Sequence, residues 1–325
     1  MSIVLPTWED IQAAAQRIAP FAHRTPVLSS SLVNERVGAS VFFKCENFQK
    51  VGAFKFRGAT NAVQSLQDEE CQQGVATHSS GNHAAALALA AKMRGIPAYV
   101  VMPSNAPEVK KRAVADYGAT ITFCEPTLEA RETTLASVRE ETGALEIHPY
   151  HPLPIIAGQG TSAKELLEDV PDLDIVLAPI GGGGLMSGTA LAVKSISPSI
   201  QVVGCEPMGA DDAYRSYTTG EFVPSVKPNT IADGLLTSMS PRTWKVIQTY
   251  VDDVVTVSEE AIVEAMRFVW ERMKIVIEPS SAVPLAALMT GKISSEGKRV
   301  GLIVSGGNVD LARLPWTCMN CPKEL

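Results

Sequence analysis

A lysine sits between two phenylalanines in the segment Ala53-Phe54-Lys55-Phe56-Arg57-Gly58. Aromatic flanks desolvate an ammonium, lower its pKa and free the amine as a nucleophile or base. A lysine at a helix start is more often simply solvated, so this segment acquires meaning only from partners elsewhere. Gly181, Gly182, Gly183 and Gly184 stand between a strand-like and a helix-like run. One glycine suffices for such a turn. Four let the backbone approach an anion closely and aim amides from a helix N-terminus at it. The loop matches neither G-x-x-x-x-G-K-[ST] nor the dinucleotide spacing, which disfavours ATP or NAD there. Ser79-Ser80-Gly81-Asn82-His83 sets two hydroxyls, an amide and an imidazole at another helix start. A carboxylate fits such a turn, and N-capping accounts for only part of the group.

An amine, a phosphate cradle and a polar turn point together to pyridoxal 5'-phosphate held as a Schiff base on Lys55. Ser305-Gly306-Gly307-Asn308 follows the last strong strand, where a ligand crevice opens in parallel sheets; a plain strand-ending turn accounts for it equally well. Glu206, Ala210 and Asp212 offer two carboxylates and a backbone carbonyl, hard oxygen donors suited to Mg²⁺, Ca²⁺ or Mn²⁺. On spacing alone such a stretch is more often a solvated acidic loop.

The elements that must position these groups alternate between strand and helix, which argues for an α/β fold with mainly parallel sheets flanked by helices. The pattern predicts strands over 41–46, 74–77, 97–102, 120–124, 175–180, 202–205, 254–257 and 300–304. It predicts helices over 7–19 with Thr7 as N-cap, then 55–66, 83–93, 108–117, 129–141, 185–194 and 259–274. Two domains are expected, a large one over 1–73 plus 149–325 and a small one over 74–148.

Of 325 residues, 46% are apolar and 19% charged, enough to build two cores. The net charge of −7 and the lack of a basic, aromatic-interleaved patch disfavour nucleic acid. No apolar run spans a bilayer and residues 1–20 lack a secretion pattern, so a cytoplasmic enzyme is expected. The six cysteines do not form a disulfide framework. Cys318 and Cys321 make a CxxC without two further ligands nearby, so incidental thiols outweigh a metal site.

Taken together, these motifs resemble the serine racemase and serine/threonine dehydratase family, the tryptophan-synthase-β-like, fold-type II pyridoxal-phosphate enzymes. They run in the family order from His23-Arg24-Thr25-Pro26 to Ser305-Gly306-Gly307-Asn308 and cover nearly the whole chain. The resemblance implies that Lys55 carries the cofactor and moves the Cα proton on one face, with Ser80 as acid/base on the other. It implies phosphate on Gly181 to Gly184, the ring packed on Phe54, its hydroxyl at Asn82 and its nitrogen at Ser305. Ser79, Asn82, His83 and Thr237 would hold the substrate carboxylate, with Arg131 nearby. The pattern Glu-Pro-x-x-Ala-Asp-Asp, here 206–212, makes Glu206, Ala210 and Asp212 the implied ligands of a divalent cation. A homodimer is implied as well.

Some positions depart from the family. Ser30, Ser31, Lys50 and Lys110 match contexts of a nucleotide-activating site, but Val51 replaces the usual threonine and Ala85 stands where relatives carry glutamine. Both count against activation by ATP. Tyr150 replaces an asparagine of animal serine racemases, which counts against racemase-level specificity for serine. The expected reaction is β-elimination from L-serine, L-threonine or 3-hydroxyaspartate to a 2-oxo acid and ammonia. Racemisation is the alternative. A 3-hydroxyaspartate site would want an extra cation, from His151 or Arg131. A serine beside the pyridine nitrogen is expected to leave that nitrogen largely unprotonated. A cofactor-storage protein would need neither Ser80 nor Arg131, and a sulfide-using β-replacement synthase would usually lack the Glu206–Asp212 segment.

Overall fold

The computed structural model describes residues 3–79, 81–106 and 108–316, with Val109 described for its backbone alone. Ser80, Cys318 and Cys321 therefore lie outside the described residues. The strands are β1 (Val27–Ser29), β2 (Ser40–Cys45), β3 (Val75–His78), β4 (Ala98–Pro103), β5 (Thr120–Cys124), β6 (Leu145–Glu146), β7 (Ile175–Pro179), β8 (Gln201–Pro207), β9 (Asp253–Val257) and β10 (Arg299–Val304). Six form one sheet in the order β1-β2-β10-β7-β8-β9, and four form another in the order β5-β4-β3-β6. Apart from antiparallel β1–β2, every pairing is parallel. The four strands of the smaller sheet all fall within 74–148 and the six of the larger sheet all fall outside it.

The central strand β7 is buried at every residue, as a parallel strand covered on both faces must be, so it reads as an unbroken apolar run. Helices Pro279–Met289 and Glu259–Met273 pack with one apolar cluster of the large sheet, and helices Leu153–Asp169 and Gly184–Ile196 with another. Thr7 caps helix Trp8–Ile18 in a capping box with Asp10, as the sequence predicts.

Two short strands, β1 and β6, carry too little periodicity to be read from sequence. Helices Ser31–Val37, Leu153–Asp169, Asp212–Thr219, Pro241–Tyr250 and Pro279–Met289 also lie outside the helices that the sequence pattern predicts. The 17-residue helix Leu153–Asp169 contains Gly158 and Gly160, both unfavourable to a helix taken alone. Their reason is tertiary. A Cβ at Gly158 would stand 2.6 Å from the Cα of Gly58, and one at Gly160 would stand 2.8 Å from the carbonyl of Gly188. Bare backbones let this helix touch both the helix that starts at Lys55 and the one that follows the glycine loop. Helix Pro279–Met289 likewise hides behind Pro279 and an internal Pro284.

Cys45, Cys71, Cys124 and Cys205 are free thiols, and burial pushes Cys45 up to about 12. Among the described residues no helix is long and apolar enough to cross a membrane.

Candidate active site

Lys55 opens helix Lys55–Ser65, and a buried ionic network beneath it holds that helix in place. Arg57, fully buried, reaches Glu46 through Nε at 2.7 Å and Glu165 through Nη2 at 2.7 Å. Lys44, also fully buried, pairs with Glu165 at 2.7 Å. Buried charges persist only when paired, and here β2 and helices Lys55–Ser65 and Leu153–Asp169 share the pairing. Gly58 N–H donates to Gln159 Oε1 at 3.2 Å, which ties the same two helices.

The Lys55 ammonium donates to the carbonyl of Pro149 at 3.0 Å and lies 5.2 Å from the Phe54 ring centre. Burial lowers its pKa to about 8, and the charge of Glu278 partly offsets that shift. Desolvation of Lys55 is thus as the sequence predicts, but its source differs. Phe56 is fully buried and turns its ring to Lys50, whose Nζ is 5.8 Å from the ring centre. Successive helical residues diverge by about 100°, so two flanking aromatics do not both cover the residue between them.

The glycine loop ends at Gly183, whose φ of 80° lies in the left-handed region, and helix Gly184–Ile196 begins there. Phosphate is not the only reason for four glycines. A Cβ at Gly182 would meet the Tyr150 ring at 2.4 Å, and one at Gly184 would meet Tyr150 Cβ at 2.9 Å. One at Gly181 would reach Leu235 Cα at 2.9 Å, and one at Gly183 would reach Thr243 Cβ at 2.8 Å. Each glycine is required by close packing, and the same bare backbone opens a helix N-terminus fit for phosphate.

Asn82 begins helix Asn82–Arg94 and is gripped on both sides. Its Nδ2 donates to both oxygens of Glu278 at 3.1 Å, and its Oδ1 accepts from Asn308 Nδ2 at 2.9 Å. One lone pair on Oδ1 is left for a ligand. Glu278 also accepts from the backbone N–H of Asn308 at 3.2 Å, and burial lifts its pKa to about 7, with Asp233 adding to the rise. Sequence reasoning missed Glu278 entirely, because Glu278-Pro279 resembles any capped helix start. At the end of β10, Ser305 places its hydroxyl 2.9 Å from that of Ser281, and its carbonyl accepts from Phe54 N–H at 2.9 Å. Ser281 was missed as well.

Ser79 accepts from Gly81 N–H through Oγ at 3.4 Å. His83 lies 2.9 Å from the carbonyl of Ile147 through Nε2. A carbonyl only accepts, so the proton is on Nε2, and Nδ1, buried without a partner, is a lone pair. Burial lowers the His83 pKa to about 3, so its ring offers no donor to a carboxylate. Thr237 is exposed in the loop after the turn Asp233–Leu235 and makes no hydrogen bond to a described residue. Four of the five histidines cluster around His148, and the charge of Lys55 reaches two of them, His83 and His148. His148 stacks on His151 at 3.9 Å and meets Tyr150 at 4.5 Å and His78 at 6.3 Å between ring centres. Burial lowers His148 to about 2 and also lowers His78 and His151, so these imidazoles are neutral. Arg131, on helix Leu128–Thr142, lowers the pKa of His78 by its charge and keeps its Nε buried without a partner.

Glu206, fully buried at the end of β8, accepts from the N–H groups of Ala213 at 3.2 Å and Tyr214 at 2.7 Å. Asp212 accepts from Met239 N–H at 3.3 Å, and its Oδ1 is buried without a partner. Burial raises the Glu206 carboxyl well above its usual range, and the charge of Asp212 adds to the rise; Asp212 itself is lifted by burial to about 6. Two crowded carboxylates with an orphaned oxygen fit a hard cation. No group of three or more His, Cys, Asp or Glu side chains assembles among the described residues, so a backbone carbonyl such as that of Ala210 would have to complete the set.

Of the residues matched to a nucleotide site, Lys110 borders a cavity of about 910 Å³, with Val51, Ala85, Asn82 and Asn308 also on its wall. Lys110 is paired there with Asp233. Ser30 instead caps helix Ser31–Val37.

The model of the pyridoxal-phosphate dependent enzyme family matches residues 18–306. The chain is 53% identical to the beta-hydroxyaspartate dehydratase of Paracoccus denitrificans over 96% of this chain and 99% of that one. It is 51% identical to the serine racemase of Dictyostelium discoideum over 95% of this chain and 96% of that one. The solved structure of maize serine racemase superposes with a TM-score of 0.93 at 50% identity, covering 97% of each chain.

Proposed function

The chain belongs to the serine racemase and serine/threonine dehydratase family of fold-type II pyridoxal-phosphate enzymes, and on that premise we propose that it eliminates water from a β-hydroxy amino acid, with 3-hydroxyaspartate preferred over L-serine and L-threonine. The observation that carries the substrate choice is Arg131 Nε, a buried and unpartnered donor on a side chain whose charge reaches His78. A monocarboxylate such as serine leaves that donor without a charge to meet, whereas a second carboxylate satisfies it. The 53% identity to a beta-hydroxyaspartate dehydratase supports the same choice.

Bound pyridoxal phosphate supplies a sink for the electron pair left at Cα. The amides of Gly181 to Gly184 would hold its phosphate, Lys55 its aldehyde carbon and Phe54 its ring. Lys55 takes the Cα proton at Nζ, and a pKa near 8 lets one amine take and return a proton around neutral pH. Glu278 holds Asn82, so that Oδ1 faces the site in one orientation. Arg131 orients the β-carboxylate, and the β-hydroxyl leaves as water by taking up the proton that Lys55 Nζ removed from Cα. The enamine then hydrolyses to a 2-oxo acid and ammonia. Glu206, the carbonyl of Ala210 and Asp212 would hold a divalent cation away from the chemistry, as a brace between β8 and helix Asp212–Thr219.

Racemisation is the second reading, favoured by the serine racemase relatives. It shares proton removal by Lys55 and adds a proton from the opposite face, the role assigned to Ser80. A small domain over 74–148, a large one over the remainder, a homodimer and a cytoplasmic setting complete the reading. ATP is not assigned a role. A panel of L-serine, L-threonine and the 3-hydroxyaspartate stereoisomers, read for ammonia, 2-oxo acid and chirality, tests it. Ammonia released fastest from 3-hydroxyaspartate is the expected result. Inversion of serine without ammonia would replace the first reading with the second.

A further inference from the structure

The segment 147–151 links β6 to helix Leu153–Asp169, and it is held from four sides. Ile147 N–H donates to the carbonyl of Ala76 on β3 at 2.8 Å. The Ile147 carbonyl accepts from His83 Nε2 at 2.9 Å. Further on, Tyr150 lies against Gly182 and Gly184, and Arg242 donates to the carbonyl of His151. Between these anchors the carbonyl of Pro149 accepts from the Lys55 ammonium at 3.0 Å. Pro149 and Pro152 have fixed φ, and they bias His148 and His151 before them towards extended backbone. The segment is therefore stiff, and holding the carbonyl of Ile147 holds that of Pro149 two residues on. His83 is 2% exposed, its Nε2 proton is spent on Ile147, and its Nδ1 is a bare lone pair. A lone pair repels a carboxylate, so the ring is built to grip this segment and not a substrate acid group.

We infer that His83 is a positioning residue: by gripping the Ile147 carbonyl it fixes the Pro149 carbonyl, which receives the Lys55 ammonium once Nζ has taken the Cα proton. The inference rests on the reading of Lys55 as the group that takes that proton. The proton moves from Cα to Nζ, its electron pair stays behind at Cα, and the nitrogen becomes a cation in a buried place. A carbonyl held 3.0 Å away stabilises the cation more than the neutral amine, because a hydrogen bond to the charged form favours that form. Burial works against the cation, and the charge of Glu278 only partly offsets it, so the carbonyl has a task that is otherwise incompletely met. Burial also lowers the His83 pKa to about 3, which keeps the ring neutral wherever Lys55 titrates. Replacing His83 by another neutral side chain therefore changes no charge beside Lys55. Glu278 and His148, the other titratable groups coupled to the lysine, stay as they are.

The test compares His83→Phe, which removes the donor, with His83→Gln, whose amide nitrogen can reach the same carbonyl. Two readouts are taken: the pH midpoint for capture of added pyridoxal phosphate by the apoprotein, and kcat and KM for the amino acid turned over fastest. His83→Phe should move the capture midpoint about one unit lower in pH, the worth of one hydrogen bond to a charged group. It should lower kcat roughly 10–100-fold, as a displaced reacting group does, and leave KM within a few-fold. His83→Gln should restore both. A folded His83→Phe with the wild-type midpoint and kcat would overturn the inference, and so would a His83→Gln that behaves like His83→Phe. A raised KM with an unmoved midpoint would put His83 at the substrate instead. ¹⁵N-histidine spectra of the wild type check the premise without any variant: His83 should carry its proton on Nε2, and a proton on Nδ1 would overturn the inference even if both variants misfold. Lys55→Ala that captures the cofactor like wild type would instead overturn the reading of Lys55 on which the inference rests.

Discussion

Asn82 donates through its amide to both carboxylate oxygens of Glu278, at 3.1 Å each, across 196 residues of sequence. The pair joins the helix start of the small-sheet region to the helix start that carries Ser281. It also sets a negative charge near Lys55, where that charge partly offsets the effect of burial on the ammonium.

Removing that charge has a defined sign. Glu278→Gln should lower the Lys55 pKa below about 8. The rate at which apoprotein captures added pyridoxal phosphate, followed by visible absorbance, should then reach its midpoint at lower pH than in the wild type. Stability shifts too. The folded Glu278 pKa is raised from 4.5 to about 7, so its contribution is fully present below 4.5 and is lost as pH rises through about 7. The loss is on the order of 3 kcal/mol, and thermal melts of Glu278→Gln should lack it across that window.

Ser80 separates the two readings of the reaction. Ser80→Ala should lose racemisation and turnover of D-substrates by roughly 10²–10⁴-fold, the range for one acid/base group, while L-elimination stays within a few-fold. Chiral chromatography beside an ammonia assay measures both at once. An equal fall in the two activities would end the two-base assignment.

Arg131→Ala should raise KM for 3-hydroxyaspartate roughly 10–100-fold, as expected for one charge-assisted contact. KM for L-serine should change far less. Equal increases for both substrates would place the guanidinium at the α-carboxylate they share.

A divalent cation must displace protons from Glu206 and Asp212 before it binds. Both folded pKa values are raised, Asp212 to about 6, so without a cation these groups favour the fold at low pH and lose that contribution as pH rises. Mg²⁺ should therefore raise Tm strongly at pH 8 and little at pH 5, with the onset moving through about 6. Asp212→Asn should abolish the Mg²⁺-dependent rise, and a chelator should reproduce that loss in the wild type. A cation effect independent of pH would point to another site.

Sequence alone carried the local chemistry of this protein. Lys55 at a helix start, the glycine run, the polar turn at Asn82 and the alternation of strand and helix are all visible within a few residues, because side-chain type and short-range periodicity decide them. Tertiary structure decided what those groups touch. It turned Phe56 away from Lys55, gave each glycine of the loop a packing neighbour, and made His83 an acceptor by placing Ile147 against it. It also raised helix Leu153–Asp169 from a glycine-containing stretch to the contact between two others. Glu278 and Ser281 carry no signature of their own. Their hydrogen bonds run to partners 196 and 24 residues away, which no short-range pattern can show.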